Sequence, residues 1–320
     1  MTTDRTAHAM AQTALAHWGN AEAPPRMVKN RENIIFEVRL RDGTRAALRL
    51  HRPGYQSRAA IESELDWCAA LAGRGFPAPR PVRAINGRLT ARAGNRIVSC
   101  VEWLEGVPLG AAEHALGPEG AALMHGLGAL AARLHNTTDA DSLPAGFNRP
   151  HWDEEGLLGA RPLWGRFWEN PALDEEGRAL LLAARARLRD RIGAARDRGA
   201  IHADLLRENV LATDEGFALI DFDDCGIGFR LYDLGSALLQ NLDEPALPQL
   251  VTALIGGYRS ARPLEADQLR LLPLFVALRA FASAGWIVSR APEGDPRIGF
   301  YAARAVRMAH HVMADTSPWE

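Results

Sequence analysis

Lysine is all but missing from this chain. Lys29 stands alone, so 36 of the 37 basic residues are arginine. That scarcity removes a class of chemistry. A P-loop needs Gly-Lys-Ser/Thr to cradle phosphates, and Lys29 sits in VKNR. Schiff-base catalysis, which needs a lysine amine, is disfavoured on the same ground. Cysteine is scarce as well. Cys68, Cys100 and Cys225 are far apart and form no C-x-x-C. This fits a reducing compartment and argues against a zinc site or a disulfide frame. Charge of one sign is lacking too. A net charge of −2 gives no reason to expect nucleic acid or an anionic membrane as a partner. No apolar run approaches the ~20 residues of a membrane span. The opening MTTDRTAHAMAQTALAHWGN has no charged head followed by an apolar block, so no secretory signal is expected. The expectation is a cytoplasmic protein.

What is present is ordinary in bulk: 320 residues, 47% hydrophobic and 24% charged, enough for one large domain or two lobes. Residues 6–18 can form a short helix. Residues 33–39 (NIIFEVR) and 45–50 (RAALRL) read as strands joined by a turn at Asp42-Gly43. Residues 57–73 carry apolar residues at helical spacing, with Ser57 as N-cap and Gly73 near the end. After a Pro-rich stretch and a turn at Asn86-Gly87 comes a strand at 96–103 (RIVSCVEW). The first hundred residues thus read β-β-α-β-β. Helices are expected at 118–136, 175–198, 246–260, 265–290 and 297–314, with Pro273 starting or kinking the fourth. The composition shifts near LEGVPLG. The predicted organisation is α+β: a β-rich lobe at 1–103, a hinge at 104–110 and a helical lobe at 111–320.

The most informative stretch is IHADLLRENVLATDEGFALIDFDD, residues 201–224. It sets a His, five Asp and an Asn among apolar residues, although buried acids are costly without compensation. VLA (210–212) and FALIDF (217–222) read as strands, with TDEG as the turn. A hairpin would bring its open ends, Asn209 and Asp221, close together, with Asp204 on the loop leading in. Such oxygen donors suit Mg²⁺. The spacing His202-x-Asp204-x-x-x-x-Asn209, followed by an apolar strand ending in Asp221, matches the phosphotransfer pattern. In that chemistry ATP brings several negative charges. Asn209 and Asp221 would hold the metal. Asp204 would accept or orient the proton of an attacking hydroxyl. His202 would brace the loop.

At these residues the chain resembles the aminoglycoside phosphotransferase/choline kinase superfamily. It is most similar to the branch holding homoserine kinase type II and the bacterial stress-response Ser/Thr kinases. The likeness rests on ENIIFEV (32–38), ALRLHRPGY (47–55), IESEL (61–65), HADLLRENVL (202–211), LIDFDDCGIGFRLYDLG (219–235) and LRAFASAGWIVSR (278–290). It runs from about residue 27 to the last helix. The resemblance implies a two-lobed protein-kinase-like fold, with a small antiparallel sheet and one helix in the first lobe. It also implies ATP and Mg²⁺ as cofactors and a cleft near residue 104, with Glu102 and Leu104 among the nucleotide contacts. By the same likeness Asp204 is the catalytic Asp, Asn209 and Asp221 are metal ligands, and Asp233 braces the catalytic loop. Glu64 is the helix acid that pairs with the phosphate-binding cation, with Glu62 as the alternative half a turn away.

The departures are specific. Arg49 stands where such proteins usually carry a Lys. A guanidinium can bind phosphate as a bidentate fork, but arginines are also commonly surface residues. No G-x-G-x-x-G covers the phosphates, so Asn30 and Asn33 would have to shape that loop. Leu206 and Arg207 follow the catalytic Asp, and Arg207 is either a γ-phosphate contact or a solvated residue. For the acceptor, NRPHWDEEGLLGARPLWGRFWENP (148–171) offers aromatics and acids. Trp152 and Asp153 could hold an amine-bearing substrate through cation–π and charge. Equally, the aromatics could anchor the segment with its acids in water, the commoner use. Asp223 could face the acceptor, and Trp286 and Arg290 could close a wall or merely pack. The expected reaction is transfer of the γ-phosphate of ATP to a hydroxyl of a small, amine-bearing metabolite. The alternatives are a Ser/Thr protein kinase and an ATP-binding regulator without turnover.

Overall fold

The computed structural model describes residues 3–30, 33–110, 115–140 and 143–320. Glu32, the first residue of ENIIFEV, lies outside them. The chain divides into two units. The first gathers Met1–Gly106, Asp141–Arg149 and Ala218–Asp223, and the second holds Val107–Ala140, Pro150–Phe217 and Asp224–Glu320. A single cut near 104–110 would place 141–149 and 218–223 in the second unit. They join the first because they complete its interior. Trp67 is fully buried, with Phe147 and Phe222 edge-on against it at 5.7 and 5.5 Å.

In the first unit, helix α1 (Asp4–Leu15) starts on the side chain of Thr3, and Ala7, Ala11, Ala14 and Leu15 form its buried face. Five strands follow: β1 (Arg26–Asn30), β2 (Ile34–Arg39), β3 (Arg45–Leu50), β4 (Thr90–Ala93) and β5 (Arg96–Glu102). They form one sheet in the order β1-β2-β3-β5-β4. β1 was not anticipated, because RMVKN shows no apolar alternation. It is an edge strand whose charged residues face outward, the usual protection of an edge. Alternation decides the rest. Ile34, Phe36, Val38, Ala46, Leu48 and Leu50 share one face with the α1 residues. Ala47 lies on the other face and packs with Ile61 and Leu65 of α2 (Arg58–Gly73). Strand period two therefore puts Arg49 on the α2 side. Ser57 caps α2 by accepting from the Ala60 amide at 3.1 Å, a cap of about 1 kcal/mol.

The second unit is mostly helical. Its helices are α3 (Gly120–Asp139), α4 (Glu154–Leu158), α5 (Glu175–Ile192), α6 (Arg230–Leu239), α7 (Leu247–Arg259), α8 (Ala266–Leu269), α9 (Leu272–Trp286) and α10 (Pro296–Ala314). The single helix expected at 265–290 is two. Pro273 lies in the first turn of α9, where its missing N–H costs nothing. The helix expected to reach 198 stops at Ile192, and Arg198–Ile201 becomes strand β8 instead. β11 (Gly226–Phe229) runs antiparallel to β8 and parallel to β7 (His151–Trp152). β9 (Val210–Thr213) pairs with β6 (Val107–Pro108). After the turn comes β10 (Gly216–Leu219), within which the unit boundary falls. FALIDF is not strand to its end. Asp221 has φ +62°, outside any strand conformation.

Ala266–Ser289 is long and apolar enough by composition to cross a membrane, with mean hydropathy 1.8. This amends the expectation that no stretch comes near that length. Within it, an apolar window of 18 residues is 72% buried, and α9 carries most of that burial into the interior of the second unit.

Candidate active site

In the second unit, β8 delivers the chain into His202-Ala203-Asp204, and the turn is held from below by Asp233 in the first turn of α6. The Asp233 carboxylate accepts the backbone N–H of His202 at 3.0 Å and of Ala203 at 2.7 Å. Ala203 has φ +66°, a left-handed conformation costing about 1–2 kcal/mol for a residue with a Cβ. The two bonds to Asp233 hold it. Asp233 is fully buried, and so is His135, whose Nε2 lies 3.1 Å from Asp233 Oδ2. His135 Nδ1 in turn meets the Tyr258 hydroxyl at 2.9 Å. Burial alone would raise the Asp233 carboxyl. Its bonds to His135 and the His202 amide overcome that and leave it below the ordinary value. Burial lowers the His135 imidazole, against the pull of Asp233. The stable pair is thus a carboxylate accepting from neutral groups. His202 is buried, and its Nδ1 accepts the Asp204 amide at 3.3 Å. It acts on the loop's shape.

The loop presents Asp204, whose side chain keeps 20% of its surface in solvent. Asn209 Nδ2 donates to Asp204 Oδ2 and to the Asp204 carbonyl, both at 2.9 Å. That orientation spends the amide nitrogen on Asp204 and leaves the Asn209 oxygen as an acceptor. Arg279 Nη2 donates to Asp204 Oδ1 at 2.6 Å. Arg279 was not anticipated. A signal existed: it is the one charge inside LPLFVALRAFASAGW, and a charge on so apolar a helix needs a partner. Sequence spacing cannot say which partner, because Asp204 is 75 residues away.

In the first unit, Arg49 is 7% exposed and donates to Glu64 Oε1 at 2.6 Å. Its Nη2 lies 3.5 Å from both Asp221 Oδ1 and Asp223 Oδ1. Burial would lower the guanidinium, but the three carboxylates raise it above its ordinary value, so it stays charged. Glu64 is pushed up by burial and pulled down by Arg49 and by Arg149 behind it. Arg149 is itself buried and donates to the Ala60 and Asp223 carbonyls. Helix α2 and the segment after Asp221 are tied together through it. His51 is held neutral by burial and by three neighbouring arginines. Its Nε2 meets Ser99 Oγ at 2.8 Å. Asp221 is the exposed member, at 38% of its side chain. Glu62 is engaged elsewhere, accepting from Thr90 Oγ1 at 2.6 Å.

The remaining candidates divide. Asn33 Oδ1 accepts the Arg52 amide at 2.9 Å and shapes the chain after β3. Glu102 is exposed at the end of β5, and Leu104 is half-buried just beyond it. Asp223 is buried, beside Arg49 rather than out in solvent. Arg207 is 2% exposed, so the solvated reading does not apply. Trp152 and Asp153 each have a place in the fold. Trp152 is buried, stacked on Tyr232 at 5.2 Å and edge-on to Trp164. Asp153 caps α4, accepting the Gly156 amide at 2.8 Å. Trp286 and Arg290 are half-buried, the guanidinium 5.1 Å from the indole centre.

Comparison with known proteins bears on the family and the fold. The profile of the phosphotransferase enzyme family matches residues 28–271. Homoserine kinase of Acidiphilium cryptum is 32% identical over 68% of this chain and 67% of its own. Among solved structures, a microcompartment-associated aminopropanol kinase superposes with a TM-score of 0.84 at 32% identity. That match covers 96% of this chain and 98% of the other. Amicoumacin kinase hAmiN, solved with AMP-PNP, Ca²⁺ and Ami, gives 0.75 at 19% identity, covering 99% and 95%. That likeness is one of fold. The profile spans most of the chain, and the braced Asp204 loop falls inside it: the chain belongs to the phosphotransferase enzyme family and is a kinase of the protein-kinase-like fold.

Proposed function

We propose that the chain transfers the γ-phosphate of Mg·ATP to the hydroxyl of a small, amine-bearing metabolite. The observation that carries this reading is Asp204: a carboxylate on a strained loop, braced by Asp233 and turned by Asn209. Asp204 orients the acceptor hydroxyl and takes its proton as the new O–P bond forms. When bound, ATP supplies the phosphoryl group and Mg²⁺ offsets its charge. In the second unit, the Asn209 amide oxygen, turned away from Asp204 by the bonds its nitrogen makes, suits a hard cation that prefers oxygen. In the first unit, the partly exposed Asp221 carboxylate suits one by the same chemistry. Arg49, kept charged and aimed by Glu64, meets the phosphates. Asn33, Glu102 and Leu104 serve the rest of the nucleotide.

A small acceptor is favoured over a protein by the segment after Asp221. Residues 222–224 form a 3₁₀ turn, 226–229 are β11, and α6 begins at Arg230. That leaves no free loop to receive a peptide. An amine is favoured because homoserine and aminopropanol, the substrates in two relatives' names, each join an amine to an alcohol. The three cysteines are buried and none of them is in a disulfide, which supports work in the cytoplasm.

The test is ADP release from Mg·ATP with homoserine, aminopropanol, their des-amino alcohols, sugars, aminoglycosides and a generic protein substrate. Turnover is expected with an amino alcohol and not with its des-amino counterpart. Turnover with protein alone would overturn the small-acceptor reading.

A further inference from the structure

Asp204 is held at two points, and only one belongs to its own loop. Asn209 fixes Oδ2, and Arg279, from the middle of α9, fixes Oδ1. We infer that Arg279 is a positioning residue for phosphoryl transfer. It locks the Asp204 carboxylate in its working orientation and supplies the positive charge beside it. This inference rests on the phosphotransfer reading of Asp204.

The geometry around Arg279 is that of a preset part. Its Nη1 donates to Ser283 Oγ at 2.8 Å, one turn further along α9. Its guanidinium carbon lies 4.5 Å from the Trp164 ring centre. Trp164 is itself held by its indole N–H, which donates to Asp224 Oδ1 at 3.3 Å. The side chain is 4% exposed. Each contact removes a rotation, so the guanidinium is aimed before any substrate arrives. Asp204 alone could turn about its Cβ–Cγ bond. With one oxygen bonded on each side it cannot, yet each oxygen keeps a lone pair for an incoming hydroxyl.

Stability does not ask for an arginine there. Phe275 and Val276, one turn back on α9, are buried, and a buried ion pair can often be replaced by packed apolar side chains with no loss of stability. Chemistry does ask for a cation. The Asp204 carboxylate must work beside an anionic phosphoryl group, and two like charges at close range repel strongly away from bulk water. A guanidinium bonded to Asp204 offsets that repulsion in the transition state, where it counts for rate.

The test compares wild type with Arg279→Met, Arg279→Lys and Ser283→Ala. Arg279→Met is also made in an Asp204→Ala background. ADP release from Mg·ATP is followed with aminopropanol, homoserine and water as acceptors, at high enzyme concentration for the slow variants. Arg279→Met should lower kcat by about a hundredfold while the KM for ATP stays within about threefold. Arg279→Lys should recover about tenfold, since charge returns without the fork. Ser283→Ala should cost a few-fold. In the Asp204→Ala background, Arg279→Met should cost less than about threefold more, because a residue acting through Asp204 has nothing left to position. Equal losses in both backgrounds would mean a merely structural part and overturn the inference. So would a kcat for Arg279→Met within about threefold of wild type. If Arg279→Met loses its cooperative melt, the other two variants decide, and full activity in both overturns the inference. A wild type silent with every acceptor overturns the phosphotransfer reading, and this inference with it. An active wild type with an unaffected Arg279→Met overturns this inference alone.

Discussion

Two residues of the proposed chemistry sit in conformations that side chains avoid. Among the described residues, the non-glycine positions with positive φ are Asn20, Ala203, Asp221 and Asp315. Ala203 precedes the candidate catalytic Asp204, and Asp221 is the candidate metal ligand. Backbone strain persists where surrounding bonds over-determine it, and it gathers at working sites. The two aspartates should fail differently. Asp204→Ala removes a group that acts on the acceptor, so turnover should fall by about a thousandfold with ATP affinity within about threefold. Asp221→Ala removes an oxygen donor, so Mg·ATP binding itself should weaken by tenfold or more. Calorimetric titration with Mg·ATP beside ADP-release assays separates the two, and an Asp204→Ala variant turning over at the wild-type rate would sink the assignment. Asp204, Asn209 and Asp221 could be proposed from the sequence because they fall within one short stretch at a fixed spacing. The sequence could not display what Arg279 and Arg149 pair with. Their partners lie 75 and 85 residues away, and only packing brings them together.

Elements were readable where one periodicity ruled. α2 begins on Ser57 and β3 alternates as expected, because each has one clear apolar face. β1 was missed as a polar edge, and β10 ended early because Asp221 turns out of the strand. The contact between α3 and α7 shows what pattern alone cannot give. Gly256 and Gly257 are adjacent in α7. A Cβ at Gly257 would lie 1.8 Å from the His125 carbonyl oxygen of α3, and one at Gly256 would meet nothing nearer than 3.8 Å. Alanine is about 1 kcal/mol better than glycine within a helix, and overpacking costs about 1–3 kcal/mol. Neighbouring substitutions should therefore have opposite signs. Gly256→Ala should raise stability by up to about 1 kcal/mol, and Gly257→Ala should lower it by about 1–2 kcal/mol. Urea midpoints of the two variants decide, and two shifts of the same sign would contradict the packing argument.

At the scale of the whole molecule, the chain passes between its units after Gly106, Ala140, Arg149, Phe217 and Asp223. Composition marked the first passage, at LEGVPLG, and nothing in the sequence marked the short returns. Their cause is the core of the first unit. Phe147 and Phe222 cover the buried face of Trp67, and burying a large apolar side chain is worth about 1.5–3 kcal/mol. Arg149 adds a charge beside Glu64, together with bonds to Ala60 and Asp223. The Leu219 amide donates to the Pro77 carbonyl at 2.9 Å, and the Asn148 amide to Ser63 Oγ at 3.0 Å. A fragment of residues 1–110 keeps the five strands and α2 but lacks all of these. It exposes Trp67 and leaves Glu64 with Arg49 as its one cation. Breaking part of a buried charge cluster costs several kcal/mol, comparable to the 5–15 kcal/mol that holds an ordinary domain together. The fragment should therefore lack a cooperative melt and the near-ultraviolet circular dichroism of a fixed Trp67, while the full chain shows both. A sharp thermal transition from 1–110 alone would mean that the later segments decorate this unit rather than complete it.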